Sequence, residues 1–506
     1  MTPALQEALR LHRAGRTDEA LPLYADALRL EPDDLAALYY GGVAAWSAKQ
    51  QDVALDRLTR AIALMPQPVA EVHYHRGLVL ASMNRDDEAI ADYQRALALK
   101  PGYAPPHNNL ALIMRDRGDL MAAASHLDAA LRADPQLHDA RYNRGLIAVQ
   151  MGELALARTT LADCVKRDPD NAAARASLID VLIDCAAHSE ALALARASAK
   201  RLPRAALLWN ALAQAEAAAG NEDAAAKAYA DGLKVAPDDV VLSLNAALFE
   251  SEQSNFSGAQ AIYTRLVTAH EHSGARFRLA TLLPSIPESE AQIDSLRRSF
   301  RDGLAKLRED DVKLVDPLNE FGDTPFYLSY HGRDDDRQLL AELEQTLRSA
   351  CPALSFTAPH IGRARRRGKP RIAFCSHFLF DHSVGRSVRA YVQALATDAY
   401  ELTLLLLPPF QDDTVSRSFS GNANVIRLPF DLRAARERIA ALELDVLIYP
   451  EIGMDALTYY LALSRLAPAQ WTTLGHPCTS GLSSIDSYLS HQALEVPGSE
   501  RFYSEQ

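Results

Sequence analysis

The stretch "GLIAVQMGELALARTTLADCVKRDP", Gly145 to Pro169, runs from a small residue to Ala157 twelve positions on, and from there to a proline twelve beyond. Leu161 follows the alanine by four, which on a helix puts both on one face. The same grammar extends in both directions. Prolines recur at Pro32, Pro66, Pro101, Pro135, Pro169, Pro203 and Pro237, in steps of 34 or 35 residues. The triplet of small residue, alanine and proline recurs as Ala8, Ala20, Pro32, as Gly42, Ala54, Pro66, and as Ala213, Ala225, Pro237. Tyr24, Leu58, Tyr93, Leu127 and Tyr229 take the place of Leu161. A fixed period of this length marks a stacked array of helix-turn-helix units. In each, small residues mark where two helices touch, the leucine or tyrosine fills the seam, and the proline ends the second helix. Seven such units are predicted, then an eighth without its proline, built on Ala247, Ala259 and Tyr263 and running to about His270.

This unit resembles the tetratricopeptide repeat over about half the chain. The resemblance implies a superhelix whose concave face takes extended peptide segments. Asn108, Asn109, Asn143, Asn210 and Asn245 recur near inner-helix positions, where an amide can hydrogen-bond a peptide backbone or else cap or bridge helices. "HYH", His73 to His75, places its imidazoles two apart, on opposite sides of a helix, and reads as a solvated pair and not a metal site.

Composition narrows the class. The 506 residues are 48% hydrophobic and 23% charged, with no apolar run of membrane-spanning length. "MTPALQEALRLHRAGR" lacks the apolar core of a signal peptide, so a cytoplasmic protein is expected. Five scattered cysteines fit free thiols, and no metal is assigned to them. A net charge of -12 argues against a nucleic-acid partner. The basic run "RARRRGKP", Arg363 to Pro370, reads as a linker entering a strand, with an anionic contact as the alternative.

Beyond residue 270 the period is lost. Three domains are expected: the repeat superhelix at 1–270, a mostly helical linking domain at 271–369, and an α/β domain at 370–506. Ser289 is placed to cap an amphipathic helix, and a second helix is expected from Asp335 to Ala350. Asp334, Asp335 and Asp336 open that helix and favour its N-terminal dipole, which speaks against a metal site. From Pro370 short apolar runs alternate with helical stretches. The runs are "RIAFCS" (371–376), "ELTLLLL" (401–407), "NVIRL" (424–428), "DVLIYP" (445–450), "QWTTLG" (470–475) and "SYLS" (487–490). Helices are expected at Val384–Leu395, Leu432–Leu442 and Ala456–Leu466. Such alternation predicts a parallel sheet wrapped by helices, a Rossmann-like half. Ligands of such sheets sit beyond the carboxyl ends of the strands. The loops after the first, fourth and fifth strands carry His377, Asp381 and His382, then Glu451 and Asp455, then "GHPCTSG". Their convergence would join imidazoles, carboxylates and hydroxyls, the groups proton transfer needs.

The strings "PSIPESE", "FYLSYHGR", "CSHFLFDHSVGR", "YPEIGMD", "RLAPAQ", "GHPCTSG" and "IDSYLS", in this order behind the repeats, resemble the protein O-linked N-acetylglucosamine transferase and SPINDLY-type glycosyltransferases. The resemblance covers nearly the whole chain and implies the acceptor-side half of a GT-B enzyme. It assigns Asp381-His382 to the active-site cleft. It maps the Gly-x-Pro-x-Thr-Ser-Gly loop, near donor and acceptor, onto Gly475, Pro477, Thr479, Ser480 and Gly481, with His476 at the variable position. Asp445 stands where some members carry another cleft histidine. The family continues after "ERFYSEQ" into a second Rossmann-like domain that holds the nucleotide sugar, so the donor-binding half is expected to lie outside this chain.

The function so implied is inverting transfer of a sugar, N-acetylglucosamine first, from a nucleotide diphosphate to Ser or Thr of proteins held by the repeats, with no metal or other cofactor. His382 is expected to handle or position the acceptor proton, and Asp381 to orient it. Gly475, His476, Pro477, Thr479, Ser480, Gly481 and Glu451 are the expected substrate-binding set, and Asn109, Asn143, Asn210 and Asn245 the peptide-binding set. The alternative is a non-catalytic repeat scaffold for protein interaction.

Overall fold

A computed structural model describes residues 2–364, 368–408, 410–419, 421, 423–476, 478–491, 493–495 and 497–505. The chain forms two compact units, residues 1–228 and 229–506.

In the first unit the 34-residue period becomes paired helices: Pro3–Arg13 with Thr17–Leu30, Leu35–Ser47 with Gln51–Leu64, Ala70–Ser82 with Asp86–Leu99, and so on through Ala206–Ala218. Each second helix stops two residues before its proline, as at Leu64 before Pro66 and Arg167 before Pro169. The small positions touch the residues that the spacing named. A Cβ on Gly42 would lie 2.8 Å from Leu58 Cγ, and one on Gly145 would lie 2.8 Å from Leu161 Cγ. On Gly77 it would lie 2.6 Å from the Tyr93 ring. The helices of a pair meet too closely there for a larger side chain.

A second periodicity is hidden in the turns. Gly15, Lys49, Asn84, Gly118, Gly152, Ala186 and Gly220 all have positive φ, from 55° to 80°. Each reverses the chain between the two helices of a pair, as a left-handed residue does at a helix end.

In the second unit the eighth pair, Val240–Glu252 and Phe256–Ala269, buries Ala247, Ala259 and Tyr263 in one cluster. Ser289 caps the helix Glu290–Glu309 by accepting the Gln292 N–H at 3.2 Å. Asp336–Ala350 follows, its start fixed by Arg297, which holds Asp336 at 2.6 Å and also pairs with Asp335. Asp335 and Asp336 thus serve an ion-pair network as well as the helix dipole.

Six strands then build one parallel sheet: β1 Arg371–Ser376, β2 Glu401–Leu406, β3 Asn424–Arg427, β4 Val446–Tyr449, β5 Ala469–Thr473 and β6 Ser487–Leu489. Their order is β3-β2-β1-β4-β5-β6, that of doubly wound sheets whose ligands gather where the order reverses. Alternation along β1 sends Ile372 and Phe374 to one face, against Val384, Val388 and Val392 of the helix Ser383–Leu395. Ala373 and Cys375 face the other way, into a core shared with Phe300, Leu304, Leu343 and Leu347 of the preceding helices. Segments 271–369 and 370–506 therefore share a core.

Candidate functional site

The loops after β1, β4 and β5 are adjacent in this order and are stitched together by hydrogen bonds. Glu451, fully buried, accepts the His377 N–H through Oε1 at 3.0 Å. His377 Nδ1 sits 3.0 Å from the Pro408 carbonyl. Burial drives the Glu451 carboxyl up to about 8, with the His377 N–H opposing and the Asp455 charge adding to the rise. At neutral pH it is a protonated acid, a fixed polar joint between two loops.

His382 caps the helix Ser383–Leu395. Its Nδ1 accepts the Val384 N–H at 3.3 Å, and its ring stacks on Phe378 at 4.5 Å between centroids. Burial and the nearby His377 hold it below the ordinary imidazole value. A neutral ring that accepts through Nδ1 carries its hydrogen on Nε2, so this histidine presents a donor. Asp381 turns elsewhere: its carboxylate takes Arg386 Nε at 2.7 Å, and its backbone N–H donates to Asp413 at 2.5 Å.

His476 is in the opposite state. Its Nδ1 lies 3.2 Å from the Ile452 carbonyl, which can only accept, so the hydrogen is on Nδ1 and Nε2 keeps its lone pair. Nε2 faces Ser329 Oγ at 3.5 Å, and the ring stacks on Phe326 at 4.9 Å and 17°. Burial lowers its pKa and pushes the neighbouring Cys478 thiol, 3.1 Å away, up to about 12. Ser329, Gly453, His476, Cys478, Thr479 and Ser480 line a small pocket here. Gly453 must be small, since a Cβ would stand 3.1 Å from His476 Nδ1.

The remainder of the loop is clasped by Glu505. One carboxylate oxygen accepts the Ser480 N–H at 2.7 Å and also the Ser480 hydroxyl, and the other accepts the Thr479 hydroxyl at 2.7 Å. Thr479 and Ser480 are buried, so their hydroxyls face this carboxylate and not solvent. Gly475 and Gly481 are demanded by packing: a Cβ would come within 2.2 Å of the Pro450 carbonyl oxygen and 2.2 Å of Leu340 Cβ, respectively. Pro477 lies outside the described residues.

In the repeats, Asn143 donates to Asn108 Oδ1 at 2.9 Å across neighbouring units, and Asn108 donates to Asn109 at 3.3 Å. Asn210 donates to Gln214 at 3.1 Å, and Asn245 is engaged within the protein as well. His73 and His75 are not a solvated pair. His73 is buried with Nδ1 2.9 Å from Asp92 of the paired helix, and on the other side His75, half-buried, has Nδ1 2.7 Å from the Glu71 carbonyl and 3.2 Å from the Tyr39 hydroxyl of the preceding pair.

The structure therefore joins Glu451, His476, Thr479 and Ser480 with His377 through three loops. The sequence reading missed Phe326, Ser329 and Glu505. The first two lie in the quoted "FYLSYHGR", whose aromatic density was the signal; Glu505 has none.

Tetratricopeptide repeat models match residues 5–67, 70–103 and 108–172. Residues 5–172 of this chain thus carry tetratricopeptide repeats, a module of protein interaction, and a parallel sheet with its helices lies further along the chain. Among solved structures, YrrB, a TPR protein with an unusual peptide-binding site, is similar at 23% identity and a TM-score of 0.33, over 38% of this chain and 98% of that one. A tetratricopeptide repeat protein of Parabacteroides merdae is similar at 15% identity and a TM-score of 0.38, over 49% of this chain and 97% of that one. A mutant of the Thermobaculum terrenum O-GlcNAc transferase is similar at 17% identity and a TM-score of 0.29, over 80% of this chain and 56% of that one. Among the described residues no helix is long and apolar enough to cross a membrane.

Proposed function

We propose that this chain is the substrate-recruiting and acceptor-side part of a protein O-glycosyltransferase, in which the sheet is the first Rossmann-like half of a GT-B fold. The ordered motif series supports this reading. The observation that carries it is that the loops after the adjacent strands β1, β4 and β5, which carry His382, Glu451 and His476, are tied together at the carboxyl edge of one parallel sheet, Glu451 holding the first loop through the His377 N–H and Ile452 holding His476 of the third. Inverting transfer needs the acceptor hydroxyl oriented and its proton removed as the sugar bond forms. His382, with hydrogen on Nε2, suits orientation by donation. His476, with a free Nε2 lone pair beside Ser329, has the tautomer of a proton acceptor. The nucleotide sugar is held by a second domain in this reading, and the repeats hold the protein substrate.

A second reading, a binding scaffold without catalysis, draws support from Glu505, which occupies the hydroxyls of Thr479 and Ser480.

The test is transfer of label from nucleotide-diphosphate sugars to protein hydroxyls by the protein made from its native gene. Activity that falls about 100-fold or more in His476→Ala, with helix content kept, is the expected result. No transfer from any donor, together with intact peptide binding, would establish the scaffold instead.

A further inference from the structure

The segment between Gly322 and Gly332 lies outside the sheet, and the glycine at each end holds a positive φ, 58° and 60° respectively. Between them Phe326–His331 form a 3-10 helix, whose period of three sorts "FYLSYH" into three faces. Leu328 and His331 are buried, whereas Tyr327 and Tyr330 are 41% and 63% exposed. Phe326 and Ser329, on the remaining face, meet His476. Thr324 pins the start of the segment, its hydroxyl donating to the Gly453 carbonyl at 2.6 Å, next to Ile452.

An imidazole keeps one tautomer only while its ring is held. The Ile452 carbonyl selects Nδ1 for the hydrogen, but a ring turned over about χ2 would set a carbon where Nδ1 stands and lose that bond. Phe326 and Thr324 oppose the turn. The Phe326 ring lies 4.9 Å from that of His476 between centroids, at only 17°, and so fixes the plane of the imidazole. Thr324 steadies the loop that carries the Ile452 carbonyl. Ser329 adds no strong competing donor, since its hydroxyl donates to the Phe326 carbonyl at 3.1 Å and stands farther from His476 Nε2, at 3.5 Å. The Nε2 lone pair is thereby left for another partner.

We propose that Phe326 is a positioning residue, which acts through His476 by keeping its hydrogen on Nδ1 and its lone pair on Nε2. Its part in the reaction rests on the reading of His476 as the proton acceptor in transfer. The proposal extends the site to a segment that precedes the sheet in the chain and belongs to none of its strand-end loops.

The experiment is nitrogen-15 NMR of the full chain labelled at histidine, with the His476 signals assigned by their loss in His476→Gln. At neutral pH the native chain is expected to show Nδ1 protonated and Nε2 unprotonated. Phe326→Leu and Phe326→Ile keep an apolar side chain but offer no stacking face, and each is expected to move the two signals toward a common value as the ring exchanges tautomers. Phe326→Tyr restores the stack and the native pattern. Circular dichroism confirms that the variants compared keep their helices. A native pattern in the Leu and Ile variants, or a lost one in Phe326→Tyr, would overturn the proposal. In the transfer assay Phe326→Leu is expected to lower kcat about tenfold or more and to leave KM for the protein substrate within about twofold. An unchanged kcat beside an altered NMR pattern would remove Phe326 from the reaction. Absence of transfer by the native chain would refute the glycosyltransferase reading, while the NMR comparison, which needs no sugar donor, still decides the positioning.

Discussion

The buried carboxyl of Glu451 accepts the backbone N–H of His377 at 3.0 Å and so locks the loop after β4 to the loop after β1. Burial sets its charge state: the folded value is about 8 against an ordinary 4.5. Between those two values the folded chain holds a proton that the unfolded chain has released. Stability from this group is thus complete below about pH 4.5 and is lost as pH rises toward 8. The loss is on the order of a few kcal/mol. Glu451→Gln, which keeps the acceptor oxygen, flattens the dependence. Urea midpoints of both proteins from about pH 5 to about pH 8 check this, and native stability that rises relative to Glu451→Gln over that range contradicts it.

Glu505 satisfies the Ser480 N–H and the hydroxyls of Thr479 and Ser480 at once. Glu505→Ala leaves the Ser480 N–H and hydroxyl without an acceptor, while the Thr479 hydroxyl keeps Ser504 Oγ at 2.8 Å, at a cost of about 1–3 kcal/mol. Hydrogen exchange is expected to quicken around 478–484 and to leave the repeats unchanged. Uniform quickening over the whole chain would show that the clasp is not local.

Arg297 keeps only 4% of its side-chain surface exposed and holds Asp335 and Asp336 together. Arg297→Met strands Asp336 at the start of the helix Asp336–Ala350, while Asp335 keeps Arg301 at 2.9 Å. A loss of about 3–5 kcal/mol is expected, smaller at acidic pH, where Asp336 is protonated. Denaturant unfolding at two pH values measures both effects.

Ala186 sits at φ 55° in the turn between two helices, where four of its six counterparts in the first unit are glycine. Ala186→Gly relieves a left-handed strain larger than the entropy that glycine loses on folding, so the repeats gain about 0.5–1 kcal/mol. Gly481→Ala acts the other way: at φ 68° with Leu340 Cβ only 2.2 Å from a built Cβ, it costs about 3 kcal/mol or more. Thermal unfolding of the two variants is expected to move in opposite directions, and a shared direction would refute the backbone argument.

The repeats were legible because their information is local and periodic. A small residue, an alanine and a proline at fixed spacing describe one helix pair, and stacking repeats it. All six strands were legible within a residue or two, from "RIAFCS" to "SYLS": the inner strands, buried on both faces, write themselves as short apolar runs, and the edge strands β3 and β6 keep only a few apolar residues between polar flanks. The helix after β4 is shorter than predicted, ending at Ala462 instead of Leu466, because the chain turns there to enter β5.

Sequence alone thus determined the period, the strand order along the chain and the loops that carry polar groups, all properties of neighbours within one turn or one strand. Tertiary structure decided the rest. Glu505 clasps Thr479 across 26 residues, Phe326 stacks on His476 across 150, and His73 meets Asp92 across a helix pair. The hydrogen positions on His382 and His476 follow from which backbone group each ring happens to face. Such pairings depend on how separate elements pack, and packing brings together residues whose types, read along the chain, say nothing of one another.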